Sequence, residues 1–167
     1  MPMQFSSVDA QNLRLMAFDV DGVMTDGRLL FGPQGEELKV FNTLDGHGLK
    51  KLAASGVILA IITGRNSPMV AKRAADLGIE HVIQGREDKG VALEALAESL
   101  SIAAHETGYA GDDEPDVSAL LWARLSFAPA NAHDCAKTAA DHVTERRGGE
   151  GAVREICDAI LALRSQA

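Results

Sequence analysis

Acidic side chains recur where the sequence changes from an apolar run to a polar one. Asp19 and Asp21 follow one such run, and Asp112 and Asp113 follow another. Carboxylates that converge without a counterion repel one another and raise each other's pKa values. A hard divalent cation relieves this repulsion, and oxygen ligands with room for water suit Mg²⁺ best. These four residues therefore predict a magnesium site.

Single aspartates are weak signals of such a site, because Asp is also common at helix N-caps and in turns. Asp19 and Asp21 are separated by one residue, which places both side chains on the same face of an extended backbone. Four aspartates at strand ends favour a site over four unrelated caps. The five His and two Cys residues are scattered without metal-ligand spacing, which disfavours zinc.

A second group of residues has the opposite chemical character. Thr63 and Gly64 follow the apolar run at residues 57–62, and Lys89 opens a helical pattern. A hydroxyl and backbone N–H groups at a strand-to-helix turn bind phosphate oxygens, and a lysine adds local positive charge. Arg65 and Arg86 are further candidates for an anionic ligand.

Alternating elements position these residues. Short apolar runs predict strands over residues 13–18, 57–62, 81–83, 107–110 and 125–127. Helical patterns cover residues 46–54, 68–77, 89–100, 116–123, 134–140 and 151–163. Nearly continuous apolar strands separated by helices predict an α/β fold with a parallel sheet covered on both faces. Ligands bind at the carboxyl ends of such strands, where the polar residues collect.

Residues 28–42 break this alternation. A turn cluster at residues 32–35 separates two short apolar runs, which predicts a β-hairpin after the first strand. With no linker, repeat or low-complexity segment, we expect one domain over residues 1–167 with this hairpin as a flap. The apolar residues of the hairpin need burial, either against a neighbouring subunit or against the chain's own core: they are Leu29, Leu30, Phe31, Val40 and Phe41.

Composition excludes several classes of function. The chain has 167 residues, 24 Asp and Glu against 16 Lys and Arg, and a formal net charge of −8. This balance argues against nucleic acid or an anionic membrane as the main partner. The longest apolar run is far shorter than the ~20 residues of a membrane span. Two cysteines make no disulfide framework, and no signal peptide is visible, so we expect a cytoplasmic protein.

Four segments resemble the sequence motifs of the haloacid dehalogenase (HAD) superfamily. Residues 19–23 (DVDGV) resemble its nucleophile motif, residues 61–65 (IITGR) its second motif and Lys89 its third. Residues 111–116 (GDDEPD) resemble the fourth. The resemblance implies a Rossmannoid parallel sheet, a Mg²⁺ cofactor and hydrolysis of a phosphate ester through an aspartyl-phosphate.

The resemblance also implies residue roles. Asp19 would be the nucleophile and a metal ligand, and Asp112 a second direct ligand. Asp21 would be the general acid and base, with its backbone carbonyl reaching the metal.

Further roles follow for the residues around these aspartates. Thr63, Gly64 and Lys89 would hold the phosphoryl oxygens. Asp113 would act through water or neighbouring groups, and Asp116 would orient Lys89.

A closer resemblance covers almost the whole chain. It is to the 3-deoxy-D-manno-octulosonate 8-phosphate (Kdo 8-phosphate) phosphatases, capless HAD enzymes of lipopolysaccharide precursor synthesis, and lies in residues 19–27, 35–42, 45–48, 84–85 and 148–155. It implies a phosphorylated sugar acid as substrate and a homotetramer with hairpins at the subunit contacts. Arg65, Arg86 or Arg154 would meet the sugar carboxylate.

Two other functions remain open from the sequence. A capless HAD phosphatase for a nonulosonate 9-phosphate, of the sialic acid or KDN type, would use the same chemistry on another sugar. A non-catalytic binding module of the same fold is disfavoured because the complete set of motif residues is present.

Overall fold

A computed structural model describes residue 3 and residues 5–165, with Glu37 described by its backbone alone. The strands are β1 Leu15–Phe18, β2 Leu30–Gly32, β3 Gly35–Leu38, β4 Ile58–Ile62, β5 His81–Ile83, β6 Thr107–Ala110, β7 Leu125–Ala128 and β8 His142–Val143. The helices are α1 Ser7–Asn12, α2 Thr43–Ala54, α3 Pro68–Leu77, α4 Lys89–Ser99, α5 Val117–Trp122, α6 Asp134–Ala139 and α7 Ala152–Arg164. Short 3₁₀ turns lie at Ala104–Glu106 and Glu114–Asp116.

Six strands form a parallel sheet in the order β5-β4-β1-β6-β7-β8. The chain runs outward from β1 to β4 and β5 on one side, and then through β6, β7 and β8 on the other. Phe18 at the end of β1 lies level with Ile61 in β4 and Ala110 in β6. The reversal of strand order beside β1 opens a crevice at these carboxyl ends.

Helices cover both faces of this sheet, as the apolar runs predict. Met16 and Phe18 of β1 face a core cluster shared with α2, α3 and α7. Leu15 and Ala17 alternate with them and face a second cluster shared with α4, α5 and α6. Because all four strand residues are buried, β1 is apolar throughout rather than alternating.

The predicted hairpin forms a separate antiparallel sheet from β2 and β3. The apolar side chains of the hairpin segment differ in burial. Phe31, Leu38 and Val40 are 63%, 61% and 67% exposed. Phe41 instead packs against the core, with the Arg73 guanidinium 5.7 Å from the centre of its ring. Only part of the hairpin's apolar surface is therefore covered by its own chain.

Local signals explain the differences between the predicted and observed elements. α2 begins at Thr43 because the Asn42 side chain accepts a hydrogen bond from Leu44 N and caps the helix. The sequence predicted neither α1 nor β8, which are six and two residues long. Both cysteines are free and lie in helices, as predicted. Across the described ranges, no helix has the length and apolar character to cross a bilayer.

Candidate active site

A cavity of about 190 Å³ lies at the carboxyl ends of β1, β4 and β6. It is lined by nine of the eleven site residues that the sequence singles out, the exceptions being Arg86 and Arg154. Glu87 and Pro115 line it as well and were not predicted. The acidic lining groups number six and the basic ones two, namely Arg65 and Lys89. A phosphate group therefore needs an additional cation to bind in this cavity.

Lys89 is the buried cation of the cavity. It is the first residue of α4, and it is 5% exposed. Its Nζ lies 2.9 Å from Asp19 Oδ1 and 2.8 Å from Asp116 Oδ1. Burial alone would lower the pKa of Lys89, but the two carboxylates outweigh burial and raise it. Lys89 is therefore held as an ammonium group beside Asp19.

Asp116 is fully buried and holds several groups of the site in place. Its Oδ1 accepts the Lys89 bond and a 2.6 Å hydrogen bond from the Tyr109 hydroxyl. Its Oδ2 accepts hydrogen bonds from the backbone N–H groups of Asp112 and Asp113, at 2.9 and 3.1 Å. These four donors engage both oxygens of Asp116. Tyr109 was not predicted, because nothing in its strand marks it as polar.

Asp19 and Asp112 retain capacity for a metal ion. Carboxylate oxygens of Asp19, Asp112 and Asp116 lie within 4.8 Å of one another. Burial raises the pKa of Asp19 well above its usual range, and the charge of Asp116 adds to this while Lys89 opposes it. Burial and Asp116 raise the pKa of Asp112 to about 6. Two crowded carboxyl groups with oxygen-only donors fit a hard divalent cation such as Mg²⁺.

The loop after Asp19 is braced by the segment before α7. Gly22 has φ +91°, and a Cβ on it would overlap the Asp112 carboxylate. Gly148 packs so closely on the Gly22 carbonyl that a side chain there would also overlap. Asn131 joins the two, because it donates to Gly22 O at 3.0 Å and accepts from Gly148 N at 2.6 Å. Asn131 was missed because the contact spans distant parts of the chain.

Asp21 is held by cations from two other segments. Lys39, which follows β3 of the hairpin, places Nζ 2.6 Å from Asp21 Oδ1 and 2.7 Å from Glu36 Oε1. The Lys39 side chain is only 1% exposed. Arg65 Nε lies 3.7 Å from Asp21 Oδ2. The hairpin therefore contacts the cavity through Lys39. The sequence did not predict this residue, because the local pattern around it is that of an exposed segment.

Thr63 and Gly64 form the turn after β4. Thr63 is buried, donates its N–H to Ile83 O at 2.9 Å and accepts from Arg86 N at 3.1 Å. The Arg86 side chain points elsewhere and pairs with Asp88 at 2.6 and 2.8 Å. It therefore lies outside the cavity lining that the sequence assigned to it.

Two other predicted residues also have local partners. Asp113 is exposed and caps the 3₁₀ turn by accepting from Glu114 N at 2.8 Å. Arg154 bonds Asp45 through its backbone N–H at 2.9 Å and Asp158 through Nε at 2.6 Å. Arg154 lines a separate cavity with Arg146.

Comparison with known proteins agrees with this fold. The model of the haloacid dehalogenase-like hydrolases matches residues 81–156. The 3-deoxy-D-manno-octulosonate 8-phosphate phosphatase KdsC of Escherichia coli (strain K12) is 46% identical over 152 residues, covering 91% of this chain and 81% of its own. The KdsC of Yersinia pestis is 47% identical over the same shares.

Solved structures give the same result. The phosphatase of Moraxella catarrhalis, in complex with magnesium, phosphate and Kdo, superposes with a TM-score of 0.92 at 42% identity over 96% of this chain and 92% of its own. The cobalt-bound enzyme of Haemophilus influenzae gives 0.91 at 39% identity over 94% and 92%.

The parallel sheet and its acidic cavity define a hydrolase of the haloacid dehalogenase class. Within that class, this chain belongs to the 3-deoxy-D-manno-octulosonate 8-phosphate phosphatase family, because identity to its members extends over nine-tenths of the sequence.

Proposed function

We propose that this protein is a Mg²⁺-dependent phosphatase that hydrolyses Kdo 8-phosphate to Kdo and phosphate in lipopolysaccharide precursor synthesis. One observation carries the proposal. Asp19 lies buried in the cavity with Lys89 at 2.9 Å and the Asp112 carboxyl beside it. This arrangement supports a nucleophile with a cation on one side and a metal-binding partner on the other.

In the first step, an Asp19 carboxylate oxygen attacks phosphorus, the bond from phosphorus to the sugar oxygen breaks, and Asp21 gives that oxygen a proton. In the second step, water attacks the aspartyl-phosphate, Asp21 takes its proton, and phosphate leaves from Asp19. Dividing the hydrolysis in this way replaces one very slow reaction with two faster ones.

Asp19 and Asp112, with the backbone carbonyl of Asp21, would hold Mg²⁺. The ion would neutralise charge on the phosphoryl group. Thr63 and the Gly64 N–H line the same cavity and bind the remaining phosphoryl oxygens together with Lys89.

Asp116 and Asp113 act on these groups indirectly. Asp116 orients Lys89 through the 2.8 Å ion pair. Asp113 acts through water and through the turn that it caps.

The sugar carboxylate requires a cation at the cavity mouth. Arg65 suits this role best, because it lines the cavity and is half exposed. Arg86 would have to leave Asp88 first, and Arg154 would have to leave Asp158. We therefore propose that Arg65, rather than Arg86 or Arg154, binds the sugar carboxylate.

We also propose that residues 1–167 form one HAD-like domain and that four copies assemble in the cytoplasm with their hairpin flaps, residues 28–42, at the subunit contacts. The exposed Phe31, Leu38 and Val40 support this assembly, because an apolar patch of this kind marks a protein contact. Sedimentation equilibrium tests it: a species of four times 17.7 kDa is expected, and a single 17.7 kDa species would contradict it.

A substrate panel tests the activity itself. Phosphate release is measured with Mg²⁺ from Kdo 8-phosphate, KDN 9-phosphate and simple hexose phosphates. We expect the highest kcat/KM on Kdo 8-phosphate and no release after chelation of Mg²⁺. A preference for KDN 9-phosphate would mean that the substrate is a nonulosonate 9-phosphate. Equal rates on every ester would mean that the protein is a general phosphatase.

A further inference from the structure

The fold brings three different metal-ligating side chains together at the rim of the cavity. The ligand atoms of Asp113, His133 and Cys135 lie within 4.8 Å of one another. Asp113 precedes the 3₁₀ turn after β6, whereas His133 and Cys135 lie at the start of α6. The backbone N–H of His133 donates to the backbone carbonyl of Asp112 at 2.8 Å, which fixes one segment against the other. The sequence did not predict a zinc site here, because Asp113 is twenty positions from His133 and Cys135 is two positions further on.

These donors differ in kind from the oxygen-only set at Asp19 and Asp112. A thiol, an imidazole and a carboxylate suit borderline-soft cations of the Zn²⁺ type, whereas Mg²⁺ selects oxygen alone. His133 Nδ1 lies 3.1 Å from Cys135 Sγ. Zn–N and Zn–S bonds of about 2.0–2.3 Å place tetrahedral ligands roughly 3.5 Å apart, so a small opening of this pair admits the ion.

The three groups are also accessible and weakly engaged. Asp113 and His133 are exposed, and Cys135 is half-buried. Nδ1 of His133 accepts a hydrogen bond from Cys135 N at 3.3 Å, which is long for such a bond. A metal bond at Nδ1 therefore displaces this long hydrogen bond and the 3.1 Å contact with Cys135 Sγ. One carboxylate oxygen of Asp113 caps Glu114 N, and the carboxylate has a second oxygen to offer.

We propose that Asp113, His133 and Cys135 bind a thiophilic divalent cation of the Zn²⁺ class, with water as the remaining ligand. The site is separate from the metal site at Asp19 and Asp112, although Asp113 borders the same cavity. It does not depend on the proposed phosphatase activity, since it requires only the local fold.

Co²⁺ is the probe that tests this site. The full chain, reduced and saturated with Mg²⁺, is titrated with Co²⁺ while absorption is recorded. Thiolate ligation produces a sulfur-to-cobalt charge-transfer band in the near ultraviolet, which oxygen ligands do not produce. We expect this band to saturate at one Co²⁺ per chain and to disappear on addition of Zn²⁺.

Two cysteine variants locate the band. Cys135→Ser should abolish it, whereas Cys157→Ala should retain it, because Cys157 is buried in α7. Asp113→Asn should weaken Co²⁺ binding by at least about tenfold, the lower end of the loss seen even when an outer partner of a metal site is removed. The proposal is overturned by the absence of the band in the unaltered chain, or by its persistence in Cys135→Ser.

Discussion

The cavity and the hairpin differ in which side chains they bury. The cavity buries charged groups, whereas the hairpin exposes apolar ones. At the carboxyl ends of β1 and β6, Asp19, Lys89 and Asp116 are at most 5% exposed, and all three are joined by ion pairs. In the hairpin, Phe31 and Val40 are more than 60% exposed. The chain thus buries the charged groups of the cavity by itself, whereas it leaves the apolar side chains of the hairpin uncovered.

Lys39 connects the two regions. Its ammonium group leaves the hairpin and is buried between Asp21 and Glu36. Burial alone would lower the pKa of Lys39, but hydrogen bonds and charge from the two carboxylates outweigh burial and raise it. Any change that displaces the hairpin therefore reaches Asp21 through this ion pair, even though Asp19 and Lys89 stay in place.

Removing the buried cation of the cavity should have the largest effect on stability. Lys89→Met leaves Asp19 and Asp116 buried without their cation, which should lower the free energy of unfolding by about 3–5 kcal/mol. kcat should fall by about 10²–10³, the cost of losing one preorganised charge partner. Denaturant unfolding and phosphate release measure the two effects. Lys72→Met, at an exposed lysine paired with Asp76, should change neither; equal losses in both variants would contradict the account.

Polar substitutions in the hairpin test whether its exposed apolar side chains form the subunit contacts. Phe31→Ser with Val40→Ser should dissociate the assembly, because burying each apolar side chain contributes about 1.5–3 kcal/mol. Sedimentation velocity detects the shift to smaller species. Leu121→Ser is the matched control, since Leu121 in α5 is 69% exposed but lies outside the hairpin. An assembly unchanged by the hairpin double variant would place the contacts elsewhere.

Breaking the ion pair between Lys39 and Asp21, which joins the hairpin to the cavity, should have a smaller effect on kcat. Lys39→Met removes one anchor of Asp21, so kcat should fall by about tenfold, which is less than the 10²–10⁴ that a proton-transferring group contributes in total. KM should change much less, and Lys39→Arg should restore most of the rate. Steady-state kinetics on all three proteins decide this. A loss confined to KM would assign Lys39 to substrate binding instead.

A pH dependence of stability is also expected for the Mg²⁺-free protein. The folded pKa of Asp112, about 6, lies above the ordinary 3.8, because burial and Asp116 favour the protonated form. The folded state then binds more protons than the unfolded chain, so stability falls as pH rises from 3.8 to about 6. The slope from this group is about 1.4 kcal/mol per pH unit. Thermal unfolding with a chelator should show this slope, and Asp112→Asn should reduce it by the contribution of Asp112, leaving that of Asp19, whose pKa is also raised.

Mg²⁺ binding should have the opposite dependence on pH. Protons and the metal compete for Asp112, so affinity should fall as the pH is lowered through about 6. Calorimetric titration with Mg²⁺ across this range measures the effect. An affinity that is constant through pH 6 would mean that Asp112 does not bind the ion.

Much of the cavity could be predicted from sequence because its residues stand at the ends of apolar strands. Asp19 after β1, Thr63 after β4 and Asp112 after β6 meet at one edge for that reason alone. A short apolar run is a strong signal, and the parallel arrangement brings the run ends together. The hairpin was likewise marked by its turn residues, Gly32 to Gly35.

The residues that were missed depend on contacts between distant segments. The local sequence pattern around Lys39 predicts an exposed hairpin residue. Its ammonium group nevertheless bonds Asp21, eighteen positions away. Asn131 bonds Gly22 across 109 positions, and Tyr109 is a strand residue whose hydroxyl happens to meet Asp116. Arg86 is the opposite case, a residue that was predicted at the site but is not there. Its ion pair with Asp88, two positions away, holds it outside the cavity. Side-chain pairing of this kind follows from packing and leaves no periodic signal.

The central claim is that Asp19 forms the covalent intermediate within a site supplied by one chain. The direct measurement is Mg²⁺-dependent phosphate release from Kdo 8-phosphate by the unaltered protein and by Asp19→Asn, with folding checked by circular dichroism. We expect the variant to fold normally and to lose at least about 10⁴ in kcat, as when other covalent nucleophiles are removed. Substantial hydrolysis by folded Asp19→Asn would contradict the account.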